Sequence, residues 1–267
     1  MKFEIIEPSH GRFTTLCNRF EHSVSHDSFV VTYIYNGSWS EEVILKELDH
    51  YRGIIQSDGY APYRKLGSDA YPDIIRIGCI QHMKRKLLDC GENDPDVRVF
   101  YSIMNRLFHK DHRHTIGADG WTIENHLEYR RQYAPYILRE LKDKMDEIEE
   151  RGDLLPSSDL QKVITYIRNE WDALVDIFIY GDTKLENNTV ERFNRYLSIS
   201  RRNSLFFGSH KGGERGAVLY TIALSCKIQK IDLFEYLSDV INRTADWQPN
   251  TSIEKYRELL PDMWRKD

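Results

Sequence analysis

Two carboxylates and a run of cations are the residues of this chain whose types and spacing fit a defined chemistry. Asp58 stands in Gln56-Ser57-Asp58-Gly59-Tyr60, where an apolar run around Ile54 and Ile55 ends. Loops at strand ends are where α/β folds place functional groups, although an Asp before a Gly is more commonly a turn residue. Glu191 stands in Asn187-Asn188-Thr189-Val190-Glu191-Arg192-Phe193. An Asn or Thr cap puts it in the first turn of a helix, where the dipole favours a carboxylate and Arg195 lies one turn on. Arg192, Arg195, Arg201, Arg202, Lys211 and Arg215 fall close together, beside Ser200, Asn203, Ser204 and glycines 208, 212, 213 and 216. Cations with the backbone amides of a Gly-rich loop are what phosphate contacts need; a solvated basic face is the plainer reading. Phe206-Phe207 fits a core or a base-stacking surface equally well. The glycines form no Walker or Rossmann fingerprint, because no strand precedes them and the Lys-Ser/Thr ending is missing. Cys79 with His82, and His109 with His112 and His114, have ligand-like spacing. A zinc site joining the two groups is one reading; a small core cysteine and a wet histidine loop is the other.

The elements that must hold these residues change character along the chain. Phe29–Tyr35 is β-branched and aromatic and predicts a strand, followed by the turn residues Asn36-Gly37-Ser38 and a helical stretch through Val43, Ile44 and Leu48. Residues 51–58 and 74–77 predict two more strands, so the first part reads as an α/β sheet. Beyond residue 79 the period switches. Asp94-Pro95 caps a helix with Val97, Phe100, Met104 and Leu107 on one face. Pro135 is expected to open a second helix that Gly152 closes, and Leu160 to Phe178 marks a third long one. From 182 onward the pattern is helical, with Gly-containing loops at 208–216 and a short tail after Pro249.

Composition sets the frame. The 267 residues carry 37 Lys and Arg against 42 Asp and Glu, a formal net charge of −5, with 40% hydrophobic and 30% charged residues. This excludes a disordered or membranous chain, and no apolar run approaches the ~18–20 residues of a membrane span. Met1-Lys2-Phe3-Glu4 lacks the apolar core of a signal peptide, and four scattered cysteines give no disulfide framework, so a cytoplasmic protein is expected.

Several segments together resemble one family. They are Tyr51-Arg52-Gly53 through Ala61, Gly78-Cys79-Ile80-Gln81-His82 with Lys84-Arg85-Lys86, and Asn169-Glu170-Trp171-Asp172-Ala173-Leu174. Asn187-Asn188 with Glu191-Arg192, Ser200-Arg201-Arg202-Asn203, Phe206-Phe207-Gly208-Ser209, Lys211-Gly212-Gly213-Glu214-Arg215-Gly216-Ala217 and Leu259-Leu260-Pro261 complete the set. In order and spacing the chain is similar to the transposases of the insertion sequence 66 family. The resemblance implies an α/β fold with a ribonuclease-H-like core, interrupted by a large all-helical insertion. It implies an Asp-Asp-Glu triad in which Asp58 matches the second Asp and Glu191 the Glu. Both would be metal ligands for Mg²⁺ or Mn²⁺, with carboxylates brought within roughly 4–8 Å of each other. Arg192, Arg195, Arg201, Arg202, Lys211 and Arg215 would contact DNA, both transposon ends and target.

The implied organisation is an atypical segment over 1–28, a first core part over 29–79 and the insertion over 80–180. A second core part with Glu191 spans 181–248, and a tail spans 249–267. The Asp-Glu-Thr type segment that carries the family's first Asp is missing; residues 1–28 offer Glu4, Glu7, Glu21 and Asp27 instead. The core is therefore expected to be partial in its first strand, and the chain to be a truncated transposase copy at the bacterial nucleoid, with no membrane role. The alternative is a catalytically inactive fragment that binds DNA, self-associates or joins a full-length transposase. A helical interaction protein without a DNA role is the third reading.

Overall fold

The structure, a computed structural model, describes residues 2–5, 13–19, 29–35, 45, 46, 48–203 and 207–265, with the side chains of 2–5, 13–19, 29–30 and 200–203 left aside. The turn expected at 36–38, the helical start at Val43 and Ile44, and Ser204 and Phe206 lie outside the described residues. The chain divides into two compact units, one of residues 1–53 with 188–267, the other of residues 54–187.

The first unit begins with three antiparallel strands, β1 (Lys2–Ile5), β2 (Phe13–Arg19) and β3 (Phe29–Tyr35). Glu4 pairs with Cys17 across β1 and β2, and Leu16 with Thr32 across β2 and β3. The strands are covered by helices α6 (Asn188–Asn203) and α7 (His210–Ile228). Val31 and Tyr33 of β3 face Val190 and Leu197 of α6 and Ala217 and Leu224 of α7 in one apolar cluster. Tyr33 satisfies its polar atoms there: its hydroxyl donates to the Phe193 carbonyl at 2.6 Å, and its amide to Thr221 Oγ1 at 2.9 Å. Helix α8 (Leu233–Thr244) and the short α9 (Ile253–Glu258) follow, and Tyr236 and Trp264 close a small cluster around Cys226.

The glycines of 208–216 behave differently from the loop expected for them. Gly208 turns the chain at φ 75°, but Gly212, Gly213 and Gly216 lie inside α7. Their smallness serves packing: a Cβ at Gly213 would stand 2.6 Å from the Tyr35 ring, and one at Gly216 2.5 Å from Phe207. Phe207 thereby belongs to the core, half-buried against the β3–α7 cluster.

The second unit holds β4 (Gly53–Ser57, from Ile54 on) and β5 (Ile74–Ile77), hydrogen-bonded neighbours. Its helices are α1 (Ile80–Asp89), α2 (Pro95–Asp111), α3 (Ile123–Arg151), α4 (Asp159–Asn169) and α5 (Trp171–Val175). A single apolar cluster runs from Ile77 on β5 through Phe100, Leu107, Leu141, Ile148 and Ile167 to Leu185, with Trp171 packed against it. Asp94 caps α2 as its spacing requires, accepting from the amides of Asp96 and Val97. Helix α3 starts twelve residues before Pro135, at a Thr122/Asn125 capping box, and ends on Gly152 in the left-handed conformation. Pro135 is thus interior, contrary to expectation. It sits on the exposed face beside exposed Arg131, whose carbonyl loses its helical partner where water can replace it. The long helix expected from 160 to 178 breaks at Glu170, after which α5 and a 3-10 turn (Asp176–Ile179) continue the path.

A buried polar network ties this unit together. Arg130, 1% exposed, donates through Nε and Nη2 to the two oxygens of Asp111 at 2.7 and 2.8 Å. Its remaining donors reach the carbonyls of Ile177, Tyr180 and Thr183 and the Thr183 hydroxyl. Tyr133 donates to Asp111 at 2.6 Å, and His126 Nε2 lies 3.3 Å from the same oxygen. Burial and the neighbouring Arg130 charge hold the His126 imidazole below its ordinary range, though Asp111 opposes them. Burial alone would raise the Asp111 carboxyl, but the hydrogen bonds and charge of Arg130 outweigh it and leave it below the usual range.

The signs of these two shifts predict a stability profile. His126 is neutral when folded and takes a proton more readily when unfolded, so its contribution is whole above about pH 6.5 and falls as pH drops through the depressed value. Asp111 contributes fully above its unfolded value near 3.8, and that contribution is lost only as pH falls further. Thermal midpoints measured from roughly pH 8 to 4 should therefore decline in a first step that His126→Gln abolishes. A flat wild-type profile between about pH 7.5 and 5.5 would count against the assignment.

Candidate functional site

Asp58 follows directly on the last residue of β4, and its side chain is 7% exposed. Its Oδ1 accepts from the Tyr60 amide at 3.2 Å, the short turn that its Asp-Gly-Tyr sequence favours. Gly59 allows that turn to pass under Tyr166, since a Cβ there would stand 2.2 Å from the ring.

The main chain around Asp58 is clamped by a charged pair that sequence reasoning did not single out. Arg76, from β5, donates through Nε to the Ser57 hydroxyl at 2.9 Å and through Nη2 to the Asp58 carbonyl at 3.1 Å. The same Nη2 forms a short ion pair with Glu170, only 2% exposed, whose other oxygen accepts from Arg64 Nε at 2.9 Å. Burial and then the Glu170 carboxylate push the Tyr166 hydroxyl above its ordinary range. Glu170 stands at the junction of α4 and α5, where its carboxylate meets both arginines. Gln56, also buried, donates to the carbonyls of Gly78 and Lys184 at 3.0 and 2.8 Å, so β4 holds the chain that returns toward α6.

Glu191 lies in the first turn of α6, in the other unit, half-buried. Val190 and Leu197 are buried and Phe193 partly so, the apolar face that the spacing called for. Arg192 and Arg195 are exposed on the same helix, while Lys211 and Arg215 are exposed on the first turns of α7. Arg215 Nε donates to the Lys211 carbonyl at 3.2 Å. Arg201 and Arg202 occupy the last turn of α6, and their side chains lie outside the described residues.

The zinc grouping does not form. Cys79 donates its thiol to Asn187 Oδ1 at 3.2 Å, and His114 stacks on Trp121 with ring centroids 3.9 Å apart. Among the described residues, no group of three or more His, Cys, Asp or Glu side chains is placed to hold a metal ion. Asp58 and Glu191 are hard oxygen donors of the kind Mg²⁺ and Mn²⁺ take, but they number two. No described helix is long and apolar enough to cross a membrane.

Three uncharacterised proteins of Sinorhizobium fredii are similar to this chain. The protein y4jD is 28% identical over 89% of the chain, y4hP 29% over 83%, and y4qI 27% over 89%. These alignments cover 46%, 41% and 44% of the relatives, so the chain spans less than half the length of each. No solved structure matches. The sequence profile of the IS66 transposase family matches residues 12–215, a span that includes Asp58, Glu191 and all six basic residues. The chain belongs to the IS66 family of transposases.

Proposed function

We propose that the chain acts in DNA transposition, as part of the apparatus that cuts and joins DNA by metal-dependent phosphoryl transfer. The observation that carries this reading is the fixing of Asp58. A carboxylate stands immediately beyond a strand end, one oxygen held by the Tyr60 amide and its carbonyl by Arg76, in the family segment the profile covers. The core is proposed to be ribonuclease-H-like, interrupted by the helical insertion, with Asp58 and Glu191 as its acids. Two divalent cations, when bound, would activate the attacking oxygen and stabilise the leaving oxygen of the phosphodiester. Asp58 and Glu191 would hold the ions, and Arg192, Arg195, Arg201, Arg202, Lys211 and Arg215 would bind the DNA phosphates.

The ligand set has two carboxylates where the family scheme uses three. Strand β1, where the third would lie, carries Glu4 as its only acid. The chain is accordingly proposed to bind DNA without completing the reaction, and to work with a second copy or with a complete transposase. In a strand-transfer assay on DNA bearing the element's ends, the purified chain should give no products with Mg²⁺ or Mn²⁺. Metal-dependent products absent from Glu191→Gln would show a self-sufficient enzyme. Failure to bind DNA at low salt would remove the DNA reading altogether.

A further inference from the structure

The net charge of −5 conceals a polarised surface on the helical unit. Helix α1 carries Lys84, Arg85 and Lys86 with one acid, Asp89, at its last residue; Lys84 faces α2, while Lys86 lies over the Tyr166 ring of α4. From Val97 to Ala118 the only carboxylate is Asp111, which is buried and neutralised by Arg130. The same span carries Arg98, Arg106, Lys110 and Arg113, with His109, His112 and His114. The two helices pack side by side: Lys84 of α1 lies 4.7 Å from the Tyr101 ring centroid of α2 and 5.0 Å from that of Phe108. Along α2 opens a groove of about 650 Å³, where Arg98, Tyr101, Ser102, Asn105, Arg106 and His109 form one polar stripe, with Glu92 and Leu88 of α1 at its end.

We propose that this α1–α2 face is a second DNA-binding surface, separate from the basic residues of α6 and α7, and that it takes the phosphates of a duplex. The proposal rests on the DNA reading above and adds a surface to it. Charge complementarity favours a polyanion over a small ligand. Arg98 and Lys110 lie twelve residues apart, about 18 Å along the helix, a distance over which duplex DNA presents several phosphates. Arg106 pairs with Glu140 of α3, and Arg98 donates to the Glu92 carbonyl and to Asn93, so both are oriented at the groove's edge. Lys110 and Arg113 have no carboxylate partner among the described residues. Ser, Asn, Tyr and His on the same stripe are further donors to phosphate oxygens.

The test is fluorescence anisotropy of a short labelled DNA duplex with the full chain across roughly 50–200 mM salt. A triple variant, Arg98→Gln/Lys110→Gln/Arg113→Gln, should reduce the slope of log K against log salt by about 2–3, close to one per lost contact. A control with the same charge change on α3, Arg131→Gln/Arg139→Gln/Lys142→Gln, should leave the slope unchanged; equal flattening by the control would overturn the proposal. So would an unchanged slope in the first variant while Arg201→Ala/Arg202→Ala flattens it, an outcome that leaves the DNA reading intact. Absence of binding by the wild-type chain overturns both.

Discussion

Arg130→Met is expected to destabilise the helical unit by about 3–5 kcal/mol, the usual cost of leaving one partner of a buried ion pair uncompensated. The reason is local. Asp111 would keep the Tyr133 hydroxyl and His126 but lose its bidentate cation in a site that is 5% exposed. The carbonyls of Ile177 and Thr183, which accept from the guanidinium, would each lose a donor. For a unit of this size the thermal midpoint should fall by roughly 10–20 °C. Urea titration followed by helix circular dichroism would measure the loss. The double variant Arg130→Met/Asp111→Leu should be less destabilised than the single one, because no charge is then stranded. A loss below about 1 kcal/mol in the single variant would mean that water reaches the network.

The second large effect belongs to Glu170. Glu170→Leu leaves Arg76 buried without its carboxylate and is expected to cost about 3–5 kcal/mol, whereas Glu170→Gln, which keeps an acceptor, should cost about 1–3. The site should register the change as well. Arg76 holds the Ser57 hydroxyl and the Asp58 carbonyl, so loosening it frees the turn from Asp58 to Tyr60. Hydrogen exchange of the Tyr60 amide should accelerate in both variants, more in Glu170→Leu. Unchanged exchange with a large stability loss would show that the pair braces the helices and leaves Asp58 alone.

These two charged groups also mark where sequence reasoning stops. Period and turn chemistry located β3 at 29–35 and β5 at 74–77, the Asp94 cap and the Gly152 stop, because each depends on residues within one element. The strands β1 and β2 were not read as such. Phe13–Arg19 mixes Thr, Cys, Asn and Arg without clean alternation, and its strand state comes from two neighbours. Pro135 misled because proline usually opens helices; here the capping box upstream and an exposed position decided otherwise. Asp58 and Glu191 were picked out by family resemblance, since locally each is an ordinary turn or first-turn acid. Arg76 and Glu170 lie 94 residues apart and Asp111 and Arg130 belong to different helices, so no spacing rule connects them. Glu170 alone left a trace, as part of the Asn169-Glu170-Trp171 family segment.

The division of the chain bears on its synthesis. The helical unit is one uninterrupted stretch, residues 54–187, whereas the other unit is assembled from 1–53 and 188–267. A ribosome adding roughly 5–20 residues per second needs on the order of 8–31 s to pass from the end of β3 to the start of α6. During that interval Val31 and Tyr33 have none of the helical partners that bury them in the finished molecule. The nascent strands then present an apolar face and open backbone edges, the features by which chaperones and neighbouring nascent chains capture a polypeptide. Yield in the cell should consequently depend more on translation speed through 54–187 than on the stability of the completed protein.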